Sequence, residues 1–182
     1  MRKRRDFVSY ENKSFKGVHT FHKVFGHLAP DTPTKIAKDT ALKRASWTAE
    51  EIVEFLHATV AGVPDDFDAI MKDFLEAINR AYSKQLDEGE YTDKSDFEIL
   101  VRQMDALTDI SYFNYGSFVV AGVDPQPLFD IVQAANMGKL DKDTGKPIIR
   151  ESDGKIMKPS YWEEMFAPEP RLREALKFQM KA

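Results

Sequence analysis

Residues 96–121 read DFEILVRQMDALTDISYFNYGSFVVA. The run holds no proline, and its apolar residues fall on nearly every side of a helix: Leu100, Met104 and Leu107 along one line, Ala106, Ile110, Phe113, Ser117 and Val120 along another. A helix apolar almost all round belongs at the centre of a core, so this stretch predicts a long, buried central helix. The next four residues, Gly122-Val123-Asp124-Pro125, read as a stop and a restart. Gly122 suits the left-handed position just past a helix end, Asp124 can cap, and Pro125 fits the first position of the next helix.

Helical rhythm extends on both sides. After Asp65, which can cap, Phe67, Ile70, Met71, Phe74, Leu75, Ile78, Ala81 and Tyr82 keep the three-and-four spacing of an amphipathic helix. Gly62 and Pro64 separate it from an earlier helix over Thr48–Val60, with a stripe of Ile52, Phe55, Leu56 and Val60. The weaker pattern over Thr34–Arg44 can run on into that helix. Ser14 to Phe25 reads as a short first helix, and Pro125 to Lys139 as one that turns Leu128, Phe129, Val132 and Ala135 inward. Between Asp141 and Pro159 the character changes to a basic hairpin closed by a tight Asp153-Gly154 turn, and a short helical tail starts at Pro170. The expected fold is all-α, an antiparallel bundle of about five to six helices with a small basic hairpin or loop near the C-terminus. Residues 1–182 are expected to form one domain, with 1–13 a flexible N-terminus and 141–182 a C-terminal loop or hairpin with short helices.

Composition sets outer limits. With 42% hydrophobic and 31% charged residues over 182 positions, the chain fits a folded domain with a substantial core. No apolar run is long enough to span a bilayer, and no apolar segment comes after the basic start Arg2 to Arg5, which reads as a solvated end and not as a secretory signal. The absence of cysteine excludes thiolate metal sites and a Cys nucleophile and fits a cytoplasmic setting. The net charge of −4 gives nucleic-acid binding no help, so neither a membrane nor a nucleic acid is expected as partner.

Two acidic constellations stand out. Glu50, Glu51 and Glu54 fit within one helical arc of roughly 100°. Three like charges so placed repel, and a hard divalent cation with oxygen ligands would relieve them. The bland alternative is a solvated face, in which Thr48 and Glu51 form a capping box and the acids are favoured by a helix N-terminus. Asp105 and Asp109 lie four apart on one face of the expected central helix, and Tyr112 and Gly116 continue the stripe. Buried carboxylates need a partner or a metal; salt bridges to lysines or arginines are the alternative. No Glu has a His three residues later, which disfavours a di-iron centre.

Cations cluster later. Asn136 and Lys139 close the helix after Pro125, and Lys142, Lys146, Arg150, Lys155 and Lys158 come next. Lysines are good point-charge partners for the phosphates that share Mg²⁺ with carboxylates. His19, His22, His27 and His57 form no metal-ligand pattern. Phe21 and Trp47 could stack on a base, though core packing is the expectation for both. No Gly-rich phosphate loop or nucleophile elbow is present.

Taken in order, these pieces resemble the MazG-like, all-α nucleoside triphosphate pyrophosphohydrolases, the group that includes phosphoribosyl-ATP pyrophosphohydrolase. The family's mark is a Glu-Glu-x-x-Glu helix and, after it, a Glu-x-x-Asp helix. Glu50-Glu51-x-x-Glu54 matches the first, and Asp109 matches the second motif's Asp. The family's Glu falls at Ala106, and Asp105, one position earlier, is the candidate replacement. Phe21-His22-Lys23-Val24-Phe25-Gly26, Ala135-Asn136-Met137-Gly138-Lys139-Leu140, Asp153-Gly154-Lys155 and Lys158-Pro159 add to the similarity.

The resemblance implies hydrolysis of a nucleoside triphosphate to monophosphate and pyrophosphate. It implies Mg²⁺, or Mn²⁺, on Glu50, Glu51, Glu54, Asp105 and Asp109, with Glu50 or Glu51 orienting the attacking water. It implies substrate contacts from Asn136, Lys139, Lys155, Lys158, His22, Arg44 and Tyr112, and a homodimer or homotetramer. The alternative is a module of the same fold that binds nucleotides without turnover, suggested by the displaced second motif.

Overall fold

A computed structural model describes residues 12–152 and 155–181. Its regular structure is all-α: α1 (Lys13–Val24), α2 (Lys38–Thr59), α3 (Pro64–Glu88), α4 (Asp96–Ala121), α5 (Pro125–Met137), α6 (Trp162–Phe166) and α7 (Pro168–Gln179). No described helix is long and apolar enough to cross a membrane. Contacts divide the chain into two compact units: Pro33–Ala106, and the described residues up to Thr32 together with those from Leu107 onward.

In the unit Pro33–Ala106, α2 and α3 pack on one another, with the His57 ring edge-on to Phe67 at 4.9 Å. The two segments expected over Thr34–Arg44 and Thr48–Val60 are one helix. The reversal between α2 and α3 uses Ala61 and Gly62 at φ 52° and 70°. The cap of α3 is Val63, with Pro64 in the first turn, so Asp65 is not the cap. At the other end of α3 the chain returns to α4, which Ser95 begins by accepting the Glu98 amide on its hydroxyl at 3.3 Å. The irregular stretch before α2 is pinned to α4 by one side chain. Gln103 accepts from the Ile36 amide at 2.8 Å and donates to the Ile36 carbonyl at 2.9 Å, satisfying both backbone groups of a residue outside regular structure. Lys35 and Asp96 add an exposed ion pair.

In the other unit, α5 packs against α1, α6 and α7. Gln133 donates to the Gly17 carbonyl at 2.9 Å, an approach that Gly17 permits, since a Cβ there would meet Gln133 at 3.2 Å. Phe25 and Ala135 are buried, as is Trp162, and Phe21 stacks on Phe25 with centroids 4.1 Å apart. The end of α4 is as the sequence implies. The Val123 amide reaches back to the Phe118 carbonyl at 3.0 Å, Gly122 takes φ 68°, and Asp124 accepts from the Gln126 amide at 3.0 Å. This is a glycine-terminated helix end with an aspartate cap after it. Gln179 of α7 then reads the Asp124 peptide as Gln103 reads Ile36, with bonds of 2.8 and 3.1 Å.

The basic segment forms antiparallel bridges between Leu140 and Pro147 and between Ile149 and Ile156. The second is the expected hairpin; its Asp153-Gly154 turn, like the basic residues Arg2 to Arg5, lies outside the described residues. The first bridge was not expected from sequence. Its turn is built by Asp141, whose Oδ1 accepts from the Asp143 and Thr144 amides and the Thr144 hydroxyl. These bonds hold the Asp141 carboxyl below the usual range. The helical tail also starts earlier than Pro170, because Trp162–Phe166 already forms α6 and α7 begins at Pro168.

One expectation is overturned outright. α4 has no buried residue, and Phe113 and Val120 are 72% and 91% exposed. Its apolar circumference predicted a core helix, but one chain does not supply the cover.

Candidate active site

On α2, Glu50, Glu51 and Glu54 are exposed and share one face. The helix starts at Lys38, three turns before Glu50, and Thr48 does not cap it: its hydroxyl donates back to the Arg44 carbonyl at 3.2 Å. The capping-box reading of Thr48 and Glu51 is therefore removed, and with it the helix-dipole reason for three acids at this place. Glu50 and Glu54 share an open face of α2 with Ser46, Ala49 and Val53. One turn before them, Trp47 is 39% exposed, so it is not the core residue that was expected. Lys43 Nζ and Arg44 Cζ lie 5.1 and 5.3 Å from its ring centroid.

Asp105 and Asp109 are exposed on α4, one turn apart. Tyr112, 76% exposed, continues their face. The sequence argument placed these carboxylates in a buried helix; the structure places them at a surface, where charge costs little. Among the described residues, none of the five acids is in an ion pair with a lysine, arginine or histidine, so the salt-bridge alternative gains no support. Nor do any three His, Asp or Glu side chains gather, among the described residues, into a group that could hold an ion. The donor set itself, carboxylate oxygens without thiolate or imidazole, fits a hard cation of the Mg²⁺ or Mn²⁺ type.

The cationic residues form the tightest cluster. Lys139 Nζ donates to Asn136 Oδ1 at 2.8 Å. Burial, then the nearby Lys158 charge, hold the Lys139 ammonium below the usual lysine range. Lys158 Nζ sits 3.7 Å over the Trp162 ring and 3.8 Å from Glu163. Trp162 in turn donates its indole N–H to the Ala135 carbonyl at 2.7 Å, tying the cluster to the end of α5. Tyr161 braces the same region, donating to the Leu140 carbonyl at 3.0 Å and accepting from the Lys142 amide at 2.8 Å. Sequence reading found the lysines but not these supports; the spacing Pro159-Ser-Tyr161-Trp162-Glu163 after a basic run was the available signal.

Other expected contacts are separate from this cluster. His22 Nδ1 is engaged with the Leu28 carbonyl at 2.8 Å, and its ring stands edge-on to His27 at 5.2 Å. Lys155 is exposed in the hairpin, its carbonyl accepting from the Arg150 amide at 2.9 Å. Asn136, Lys139 and Lys158 are thus brought together, Arg44 lies on α2 beside Trp47, and His22 faces a loop.

Comparison with known proteins matches this chain to the family model of phosphoribosyl-ATP pyrophosphohydrolase over residues 18–136. The match takes in both acidic helices and ends at Asn136, so Lys139, Lys155 and Lys158 lie beyond it. A crystal structure of a candidate NTP pyrophosphohydrolase from Exiguobacterium sp. 255-15 is similar at 46% identity and a TM-score of 0.85, covering 93% of this chain and 96% of the other. No curated protein matches. With the family's Glu-Glu-x-x-Glu face on α2, its Asp on α4 and a match over most of the chain, the protein belongs to the phosphoribosyl-ATP pyrophosphohydrolase, MazG-like family.

Proposed function

We propose that the chain is a Mg²⁺- or Mn²⁺-dependent nucleoside triphosphate pyrophosphohydrolase. It adds water at the α-phosphate and releases the nucleoside monophosphate and pyrophosphate. The observation that carries this reading is the glutamate face of α2, three exposed mid-helix carboxylates that stand on the Glu-Glu-x-x-Glu positions inside the matched family region. Family membership and the name of the similar crystal structure support it.

Glu50, Glu51 and Glu54, with Asp105 and Asp109, would hold the metal, which when bound lowers the pKa of a water and neutralises phosphate charge. Glu50 or Glu51 orients the nucleophilic water and accepts its proton. Lys139 and Lys158 receive the negative charge that builds on the departing pyrophosphate, and Asn136 fixes the Lys139 ammonium. Arg44, Lys155, His22 and Tyr112 complete the proposed substrate contacts. The apolar surface of α4 motivates assembly into a homodimer or homotetramer, because a soluble single chain seldom leaves so much of a helix uncovered.

Incubation with a panel of ribo- and deoxyribonucleoside triphosphates and Mg²⁺ tests the activity. Pyrophosphate and monophosphate in equal amounts, lost on chelation, are expected. Release of orthophosphate in their place would contradict the reading. Metal-dependent binding without turnover would instead favour a nucleotide-sensing role.

A further inference from the structure

We propose that Trp162 is a positioning residue: it sets the Lys158 ammonium beside Lys139, so that the two charges together take the pyrophosphate end of the substrate. The inference deepens the proposed pyrophosphohydrolase activity and rests on it, since that reading supplies the pyrophosphate.

The first observation is one side chain used at both its polar and its aromatic surface. Trp162 is buried. Its indole N–H donates to the Ala135 carbonyl at 2.7 Å, next to Asn136 and near the end of α5. Its ring carries Lys158 Nζ at 3.7 Å from the centroid. One residue thus fixes both halves of the cluster: the turn of α5 that leads to Asn136 and Lys139, and the ammonium of Lys158. A tight turn brings this about. The Trp162 amide donates to the Pro159 carbonyl at 2.9 Å, which folds the chain so that Lys158 lies over the ring. Tyr161 grips the chain just past Lys139, through the Leu140 carbonyl. Without such support a lysine ammonium samples many positions on its flexible stem, and a tryptophan face is the aromatic surface that holds a cation best.

The second observation is charge left over. Lys139 is bonded to a neutral amide oxygen at 2.8 Å. Glu163 approaches Lys158 at 3.8 Å, with both side chains more than half exposed, and a pair of that kind neutralises little. The two ammonium groups are near enough to disfavour one another, so packing on Trp162, and not mutual attraction, keeps them together. Asn136 spends its oxygen on Lys139, which leaves its amide N–H groups as donors; they have no partner among the described residues. The ligand that relieves this arrangement is a compact polyanion, with charge enough for two ammonium groups and oxygens to spare for an amide donor. Pyrophosphate has that chemistry.

The test is a double-substitution cycle on the full chain, read as affinity for inorganic pyrophosphate in Mg²⁺. Trp162→Leu is expected to weaken pyrophosphate by about tenfold. In a Lys158→Met background the same change is expected to cost less than about threefold, because the ammonium it positions is gone. Trp162→Phe keeps a ring face without the N–H and should retain most of the coupling to Lys158. A tryptophan that only packs predicts equal losses in both backgrounds; that result, or no loss at all, would overturn the proposal while leaving the pyrophosphohydrolase reading intact. If Trp162→Leu does not fold, the native indole gives the readout. In a Trp47→Phe protein Trp162 is the one indole left, and pyrophosphate should change its emission as Lys158 turns to the anion. Lys158→Met should abolish that change, and an emission that responds equally in both proteins, or in neither, would overturn the proposal. Failure of the unsubstituted protein to bind pyrophosphate in Mg²⁺ would instead strike the pyrophosphohydrolase reading, and this inference with it.

Discussion

The ammonium of Lys139 is bonded to the side-chain oxygen of Asn136, three residues earlier and 2.8 Å away, with the like charge of Lys158 close enough to be felt. An amide oxygen compensates a half-buried cation only in part, and Lys158 adds repulsion. The folded state therefore binds the Lys139 proton less well than the unfolded chain does. A bound anion would reverse that imbalance.

Lys139→Met is accordingly expected to leave thermal stability at pH 7 unchanged or raised, while weakening pyrophosphate binding. The sign comes from linkage: the depressed ammonium opposes folding below its folded-state pKa, and that opposition fades as pH rises from there toward the ordinary lysine range. Melting curves at neutral and alkaline pH should show any advantage of the variant shrinking across that window. A variant less stable by the same amount at every pH would contradict this.

Gly138 is under a different constraint. A Cβ built there comes within 2.3 to 2.7 Å of the Phe166 ring, so Gly138→Ala must displace α6. Overpacking of this kind costs about 1–3 kcal/mol. Because the clash involves one ring, Phe166→Leu should recover part of the loss, and the double variant should fall short of additivity. Denaturant titration of the four proteins measures this; strict additivity would contradict it.

Ala61 is the non-glycine residue with positive φ, at 52°, among those described. The left-handed region costs an L-residue about 1–2 kcal/mol, of which glycine gives back part through its looser unfolded chain. Ala61→Gly should therefore stabilise the protein by somewhat less than that cost, seen as a raised melting temperature. A fall in melting temperature would mean the Ala61 methyl contributes packing that outweighs the strain.

Much of the fold could be read from local signals because those signals act locally. Gly122, Asp124 and Pro125 ended one helix and began the next as expected, since a left-handed stop and an aspartate cap need only neighbouring atoms. Thr48 misled for the converse reason. It has the residue type of a cap, but helix propagation from Lys38 had already enclosed it. The apolar pattern of α4 predicted a buried helix, and the structure leaves that helix exposed, because periodicity reports apolar surface and not what covers it.

The candidate site was legible unevenly. The glutamates and aspartates declared themselves by spacing on single helices. The Asn136–Lys139–Lys158 cluster depends on Trp162 and Tyr161, twenty or more residues downstream of the end of α5, and long-range packing of that sort leaves no periodic trace.

The central claim is that carboxylates of α2 and α4 act on one metal cluster. Its most direct test is a double-substitution cycle on Glu54→Gln and Asp109→Asn, read as Mn²⁺ affinity by electron paramagnetic resonance with a non-hydrolysable triphosphate present. Each single variant should lose at least about tenfold in affinity, and the double should lose clearly less than the product, as expected for ligands of a shared site. Independent, multiplicative losses, or no loss in either variant, would contradict the account.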